Sequence, residues 1–185
     1  MSRVLLPLAA GFEEIEAVSI IDVLRRADVE VVVASLQQSD DVKGAHGISI
    51  RADACLLELL PQDFDLMVLP GGEPGTTNLA ADETLGDWLQ QFATDDKPVA
   101  AICAAPRILA AMGMLQQIAA TSHPSVKEVL IRSGADYQQE RVVRTGRIVT
   151  SRGPGTAIEF ALELLSVLDK GQEAAQLRDA MLVQR

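Results

Sequence analysis

The sequence predicts an α/β protein: a three-layer α/β/α sandwich on a mostly parallel sheet. Short, mostly apolar runs such as Val4 to Leu8, Val29 to Leu36 and Phe64 to Leu69 show no regular polar alternation, the pattern of strands buried on both faces. Segments with helical spacing of apolar residues lie between them, so strand and helix alternate along the chain. Glycine and proline close the runs, as at Pro70-Gly71-Gly72.

The first run ends at Ala10-Gly11-Phe12. From Glu13 to Ala27 the residues Ala17, Ile20, Ile21 and Leu24 recur at helical spacing, with acids in the first turn and Arg25 and Arg26 in the last, as the helix dipole favours. Val29 to Leu36 completes a strand-helix-strand unit with a right-handed crossover. Gly44, Gly47 and partial alternation across Val42 to Ala52 suggest a hairpin or edge strands. After Phe64 to Leu69 come a loop, a helix from about Asp82 to Thr94, and the break Asp95-Asp96-Lys97-Pro98. The run that opens at Val99 reads as a central buried strand, and Arg107 to Met112 as the helix that follows it. Ile118 to Thr121 is a short candidate strand leading into Ser122-His123-Pro124, and Ser125 to Ser133 reads as helix with Gly134 as its stop. Val142 to Thr150 reads as two strands around a glycine turn, followed by helices Ala157 to Leu168 and about Glu173 to Leu182. No repeat or linker divides the chain, so residues 1–185 read as one domain.

Charge and cysteine content narrow the function. A net charge of −10 argues against binding nucleic-acid backbones or anionic membranes. No run approaches the length of a membrane span, and the start of the chain makes a poor signal peptide. Two cysteines, Cys55 and Cys103, make no disulfide framework, and no Cys-x-x-Cys or Cys/His cluster offers metal-ligand spacing, so a reducing cytoplasm is expected and no metal or cofactor is.

Cys103 falls where a buried strand turns sharply into a helix. A side chain there points out of the carboxyl edge of the sheet, toward free N–H groups that accept negative charge, which is a place for a thiolate. Pro106 fits the first turn of the helix. The alternative is an inert, buried thiol. Glu16 lies on one helix face with Ile20, Val23 and Ala27, so a carboxyl group lies in line with apolar residues; desolvation would raise its pKa and let it move a proton. Glu13 and Glu14 read as first-turn acids in water. His123 is a candidate activator of the cysteine or a capping residue; His46 and Cys55 carry weaker signals. The loop before Glu16, the Gly71-Gly72 turn, Cys103 and the segment before His123 are all expected at the carboxyl ends of strands, where such sheets bind ligands.

Gly11-Phe12-Glu13-Glu14-Ile15-Glu16-Ala17, Val68-Leu69-Pro70-Gly71-Gly72, Ala101-Ile102-Cys103-Ala104-Ala105-Pro106, Thr121-Ser122-His123-Pro124 and Thr150-Ser151-Arg152-Gly153-Pro154-Gly155-Thr156 resemble the motifs of the ThiJ/PfpI superfamily, in order and across nearly the whole chain. The similarity is greatest to its parkinsonism-associated deglycase branch. The resemblance implies a flavodoxin-like, class I glutamine amidotransferase-like homodimer with Cys103 as an oxidation-sensitive nucleophile, Glu16 as its acid partner and His123 nearby. It places the backbone N–H groups of Gly72 and Ala104 in an oxyanion site. It implies cofactor-free conversion of glyoxal or methylglyoxal to hydroxy acids, or deglycation of their early adducts, in oxidative and carbonyl stress defence. A redox-sensing or chaperone protein whose cysteine oxidises to sulfinate is the alternative. A protease or amidotransferase-like hydrolase is a weaker reading, because Pro124-Ser125 follows His123 and no acid stands two residues on. His46 aligns where the branch often has an arginine, whereas Arg25 and Arg26 match basic positions near its dimer interface.

Overall fold

The structure is a computed structural model and describes residues 1–37 and 40–184. In chain order its elements are β1 (Arg3–Leu8), α1 (Glu14–Arg26), β2 (Glu30–Ser35), β3 (Asp41–Lys43), β4 (Ser49–Arg51), β5 (Ala54–Cys55), β6 (Leu66–Leu69), α2 (Gly75–Ala81), α3 (Glu83–Thr94), β7 (Val99–Ile102), α4 (Pro106–Ala111), β8 (Ala119–Ala120), α5 (Lys127–Arg132), β9 (Asp136–Tyr137), β10 (Val142–Thr145), β11 (Ile148–Ser151), α6 (Ala157–Val167) and α7 (Gly171–Ala180). One sheet runs in the order β10-β11-β7-β6-β1-β2-β5, and every pairing in it is parallel except β10 with β11.

The unbroken apolar strands follow from burial on both faces. Val4, Leu6 and Leu8 of β1 point into a core closed by α1 and α6, together with Val68 and Ile102. Leu5, Met67 and Ala101, one residue out of phase, point into a second core closed by α3 and α4. The three-layer sandwich is therefore present, and its strand order sets the position of the site. From β1 the chain moves to β2 on one side, then returns to β6 on the other, which opens a crevice beyond the carboxyl ends of β1 and β6.

Three elements differ from the sequence expectation. The segment read as a loop before Asp82 contains α2, a short helix with few apolar positions, held by the Thr76 N–H donating to the Gly72 carbonyl at 2.8 Å. The strand leading to His123 is β8, and it does not belong to the main sheet: it pairs with β9 in a separate two-stranded ladder, tied back by the Thr121 N–H donating to Thr150 Oγ1 at 2.9 Å. The segment from Ser125 divides into a tight turn at Pro124–Val126 and the helix α5, because proline is compatible only with the opening turn. The Val42 to Ala52 segment forms the β3–β4 hairpin, which stands off the sheet over the start of α1. Among the described residues no helix is long and apolar enough to cross a membrane.

Candidate active site

Between the end of β7 at Ile102 and the start of α4 at Pro106, three residues make the turn, and the first is Cys103. Its φ of 64° lies in the left-handed region that a residue with a Cβ avoids, at a cost of roughly 1–3 kcal/mol. The surroundings hold it there. Its N–H donates to the Ser151 carbonyl at 3.0 Å, and its own carbonyl accepts the His123 N–H at 2.8 Å.

Two backbone N–H groups, those of Gly72 and Ala104, hydrogen-bond the Cys103 sulfur. Each belongs to a peptide plane whose carbonyl points the opposite way and is itself engaged. The Gly71 carbonyl accepts the Glu13 N–H at 2.9 Å, and the Cys103 carbonyl accepts the His123 N–H. Both donors are thus aimed at the sulfur by contacts made behind them. Gly72 has a φ of +91°, which favours glycine, and Gly71 leaves room for the site itself. A Cβ on Gly71 would lie 2.6 Å from Cys103 Cβ and 2.9 Å from Glu16 Oε2, so any side chain there would intrude between the acid and the thiol.

Glu16 is completely buried, on the same face of α1 as Ile20 and Val23. Its Oε2 accepts the Gly71 N–H at 2.8 Å; Oε1 has no close hydrogen-bond partner, although the carboxyl group and the Cys103 thiol are near enough to couple. Burial pushes the Glu16 pKa up to about 7, against the bonds from Gly71 and Cys103, and the Glu13 charge adds to the rise. Burial and the adjacent Glu16 push the Cys103 thiol up to about 12, while the Ala104 and Gly72 N–H groups pull it down. The expected thiol of lowered pKa is therefore corrected. A lone sulfur at this turn would be favoured as an anion, but a carboxylate beside it in a desolvated space opposes a second negative charge. Below about pH 7 the pair keeps both protons and is neutral, and above it, up to about 12, it carries one negative charge and retains one proton.

His123 meets Cys103 through its backbone, and its ring is exposed. Ser125 fixes the ring: its N–H donates to Nδ1 at 3.2 Å and its Oγ lies 2.8 Å from the same nitrogen. A backbone N–H only donates, so Nδ1 accepts and the neutral ring carries its proton on Nε2. Ser125 therefore orients the ring in the place where the sequence offered no acid.

Glu13 and Glu14 were expected in water, yet they are only 8% and 4% exposed. The β3–β4 hairpin covers them. Glu13 caps α1, its Oε2 accepting the Glu16 N–H at 2.7 Å. Glu14 accepts the His46 N–H at 2.6 Å and lies 2.7 Å from His46 Nδ1. Burial alone would raise the Glu14 pKa, but these bonds outweigh it and lower it, while the Glu14 bond and charge raise that of His46. Glu13, Glu14 and His46 are also the group among the described residues with ligand atoms close enough for a metal, within 4.8 Å of one another. Those atoms already bond each other or the start of α1, so the cluster has a structural explanation. Cys55 stands apart, with its N–H donating to Glu58 Oε2 at 3.3 Å.

The DJ-1/PfpI family model matches residues 2–167. The chain is 39% identical over 182 residues to DJ-1 homolog A of Arabidopsis thaliana, covering 98% of this chain but 46% of that longer protein. It is 35% identical over 165 residues to the glutathione-independent glyoxalase DJR-1.2 of Caenorhabditis elegans, covering 89% of this chain and 87% of the relative. It is 33% identical over 166 residues to a deglycase of Pyrococcus abyssi, covering 90% and 99%. Among solved structures, Toxoplasma gondii DJ-1 in an oxidized state superposes with a TM-score of 0.94 at 36% identity, covering all of both chains.

Proposed function

The chain belongs to the DJ-1/PfpI family, and from that membership and the site's geometry we propose that it is a cysteine-dependent glyoxalase or deglycase. Its substrates are small 2-oxoaldehydes such as methylglyoxal, or their early adducts. The observation that carries this reading is the arrangement at one sulfur: a buried acid of pKa about 7 beside it and two N–H donors aimed at it. Relatives named glyoxalase and deglycase support the substrate class.

The reaction begins as the Cys103 sulfur bonds to the aldehyde carbon and the thiol proton passes to the Glu16 carboxylate. A base whose pKa lies near the working pH is suited to this transfer. The former carbonyl oxygen becomes an alkoxide, which the Gly72 and Ala104 N–H groups hold before it takes the proton from Glu16. Glu16, again a carboxylate, removes the hydrogen from the aldehyde carbon and returns it to the neighbouring carbon. His123 gives its Nε2 proton to the oxygen on that second carbon and regains one from the hydroxyl on the first, which becomes the thioester carbonyl. The result is a 2-hydroxy thioester, and water releases the hydroxy acid and restores the thiol. The first carbon is oxidised and the second reduced, so no outside oxidant, reductant or cofactor enters the balance.

Purified protein mixed with methylglyoxal is expected to yield lactate in buffer free of glutathione and added metal. Lactate no faster than in protein-free buffer would sink the reading.

A second reading, a redox sensor, rests on the same sulfur and on the oxidized state of the Toxoplasma relative. N–H donors that hold an alkoxide also hold the oxygens of a sulfenate or sulfinate, and a protonated Glu16 donates to one. Mild peroxide is then expected to add oxygen to Cys103 before Cys55, as peptide mass spectrometry reads directly; the reverse order would remove this reading.

A further inference from the structure

The two N–H donors at Cys103 come from different walls of the site. Gly72 follows β6 and Ala104 follows β7, and the register joining those strands ends at Leu69 and Ala101. Among the described backbone bonds outside the ladders, none joins residues 70–74 to residues 103–107. Yet the gap between the donors decides whether both reach one atom.

Side chains span it. Arg107 Nη1 lies 2.8 Å from Glu73 Oε1, Arg107 Nη2 donates to Thr77 Oγ1 at 2.8 Å, and Thr77 Oγ1 donates to Glu73 Oε2 at 2.8 Å. The triangle uses both oxygens of the carboxylate. Glu73 directly follows Gly72, and the Arg107 N–H donates to the Ala104 carbonyl at 3.2 Å. Each end is thus one step from one of the two donors. With side chains 49% and 27% exposed, the Glu73–Arg107 pair adds little to folding stability. What a closed triangle with a bidentate carboxylate supplies is a fixed distance.

We propose that Glu73, Thr77 and Arg107 form a clamp that sets the separation of the Gly72 and Ala104 donors, making Glu73 and Arg107 positioning residues for the anion site. The proposal rests on the reading that these donors serve chemistry at Cys103.

Electrostatics and positioning predict opposite signs for one variant, which makes the clamp testable. Removing a carboxylate near a thiol by field alone favours the thiolate and speeds alkylation. Loosening the two donors disfavours the thiolate and slows it. The other charged group acting on the Cys103–Glu16 pair is Glu13, which caps the same helix, and the variants leave it in place.

The experiment measures iodoacetamide labelling of Cys103 against pH, read by peptide mass spectrometry, in the wild type and in Glu73→Ala, Glu73→Gln and Thr77→Val. Glu73→Ala is expected to slow labelling roughly three- to tenfold at each pH from 7 to 9. Glu73→Gln keeps a side chain that bonds Arg107 and Thr77 and should stay within about twofold of wild type. Thr77→Val removes one corner at nearly constant shape and should slow labelling about twofold, which keeps the clamp testable should Glu73→Ala unfold. Unchanged or faster labelling in Glu73→Ala, or in Thr77→Val where the former is unfolded, would overturn the clamp. Labelling needs no turnover, so a wild type that makes no lactate would count against the proposed reaction and leave this test standing.

Discussion

Cys103→Ser is expected to abolish lactate formation from methylglyoxal, with a loss of at least about a thousandfold. Serine matches cysteine in shape, so the turn at φ 64° and its bonds to Ser151 and His123 should persist, and circular dichroism and the melting temperature should stay close to wild type. What changes is the acidity of the nucleophile. Glu16, with a pKa of about 7, is a weak base for a thiol held near 12 and a far weaker one for the less acidic alcohol. Lactate measured enzymatically over time is the readout. Wild-type rates from the variant would remove Cys103 from the mechanism and turn attention to Cys55.

The second large effect is that of Glu16→Gln. The amide still accepts the Gly71 N–H but takes no proton, so turnover is expected to fall roughly a hundred- to a thousandfold. Two further signatures separate lost proton transfer from damaged structure. Without the neighbouring negative charge, the Cys103 thiol should ionise at lower pH than in the wild type, where Glu16 helps hold it near 12. Stability should change with pH as well. The Glu16 carboxyl rises from 4.5 to about 7 on folding, so between those values the folded state holds a proton that the unfolded state has released. Wild-type stability is therefore eroded as pH rises from about 4.5 through 7, and the glutamine variant escapes that loss. Its advantage over wild type should grow by about 2 to 3 kcal/mol between pH 5 and pH 8, measured by urea unfolding. A constant difference across that range would mean that Glu16 is not a buried, titrating acid.

Much of this site was legible from local pattern. Cys103 at the strand-to-helix turn, and Glu16 in register with Ile20 and Val23, followed from period and position alone, because one strand or one helix decides them. Residues whose settings depend on distant chain were misread. Glu13 and Glu14 sit in a first helical turn, where acids ordinarily face water, and only the hairpin thirty residues away buries them. Glu13 caps α1 with its own side chain, and a reading for caps would not have found it, since Ser, Thr, Asp and Asn are the usual residues there. Gly71 was grouped with Gly72 as a turn, and the contact that excludes a Cβ there comes from two other elements. The thiol's pKa was missed for the same reason. The turn favours the anion, and a carboxylate contributed by α1 opposes it. Ser125 was passed over because an acid was sought where a hydroxyl and a backbone N–H serve to orient the imidazole.

The donors at Cys103 have a practical consequence for mutational surveys. Each is a main-chain group held from behind by another main-chain group, Glu13 in one case and His123 in the other. An alanine scan removes neither, since every alanine keeps its own amide N–H. Exposing their contribution requires removing the N–H itself: proline at 104, or an ester in place of the 71–72 amide by semisynthesis. A scan that found only Cys103 and Glu16 indispensable would have overlooked half of the apparatus.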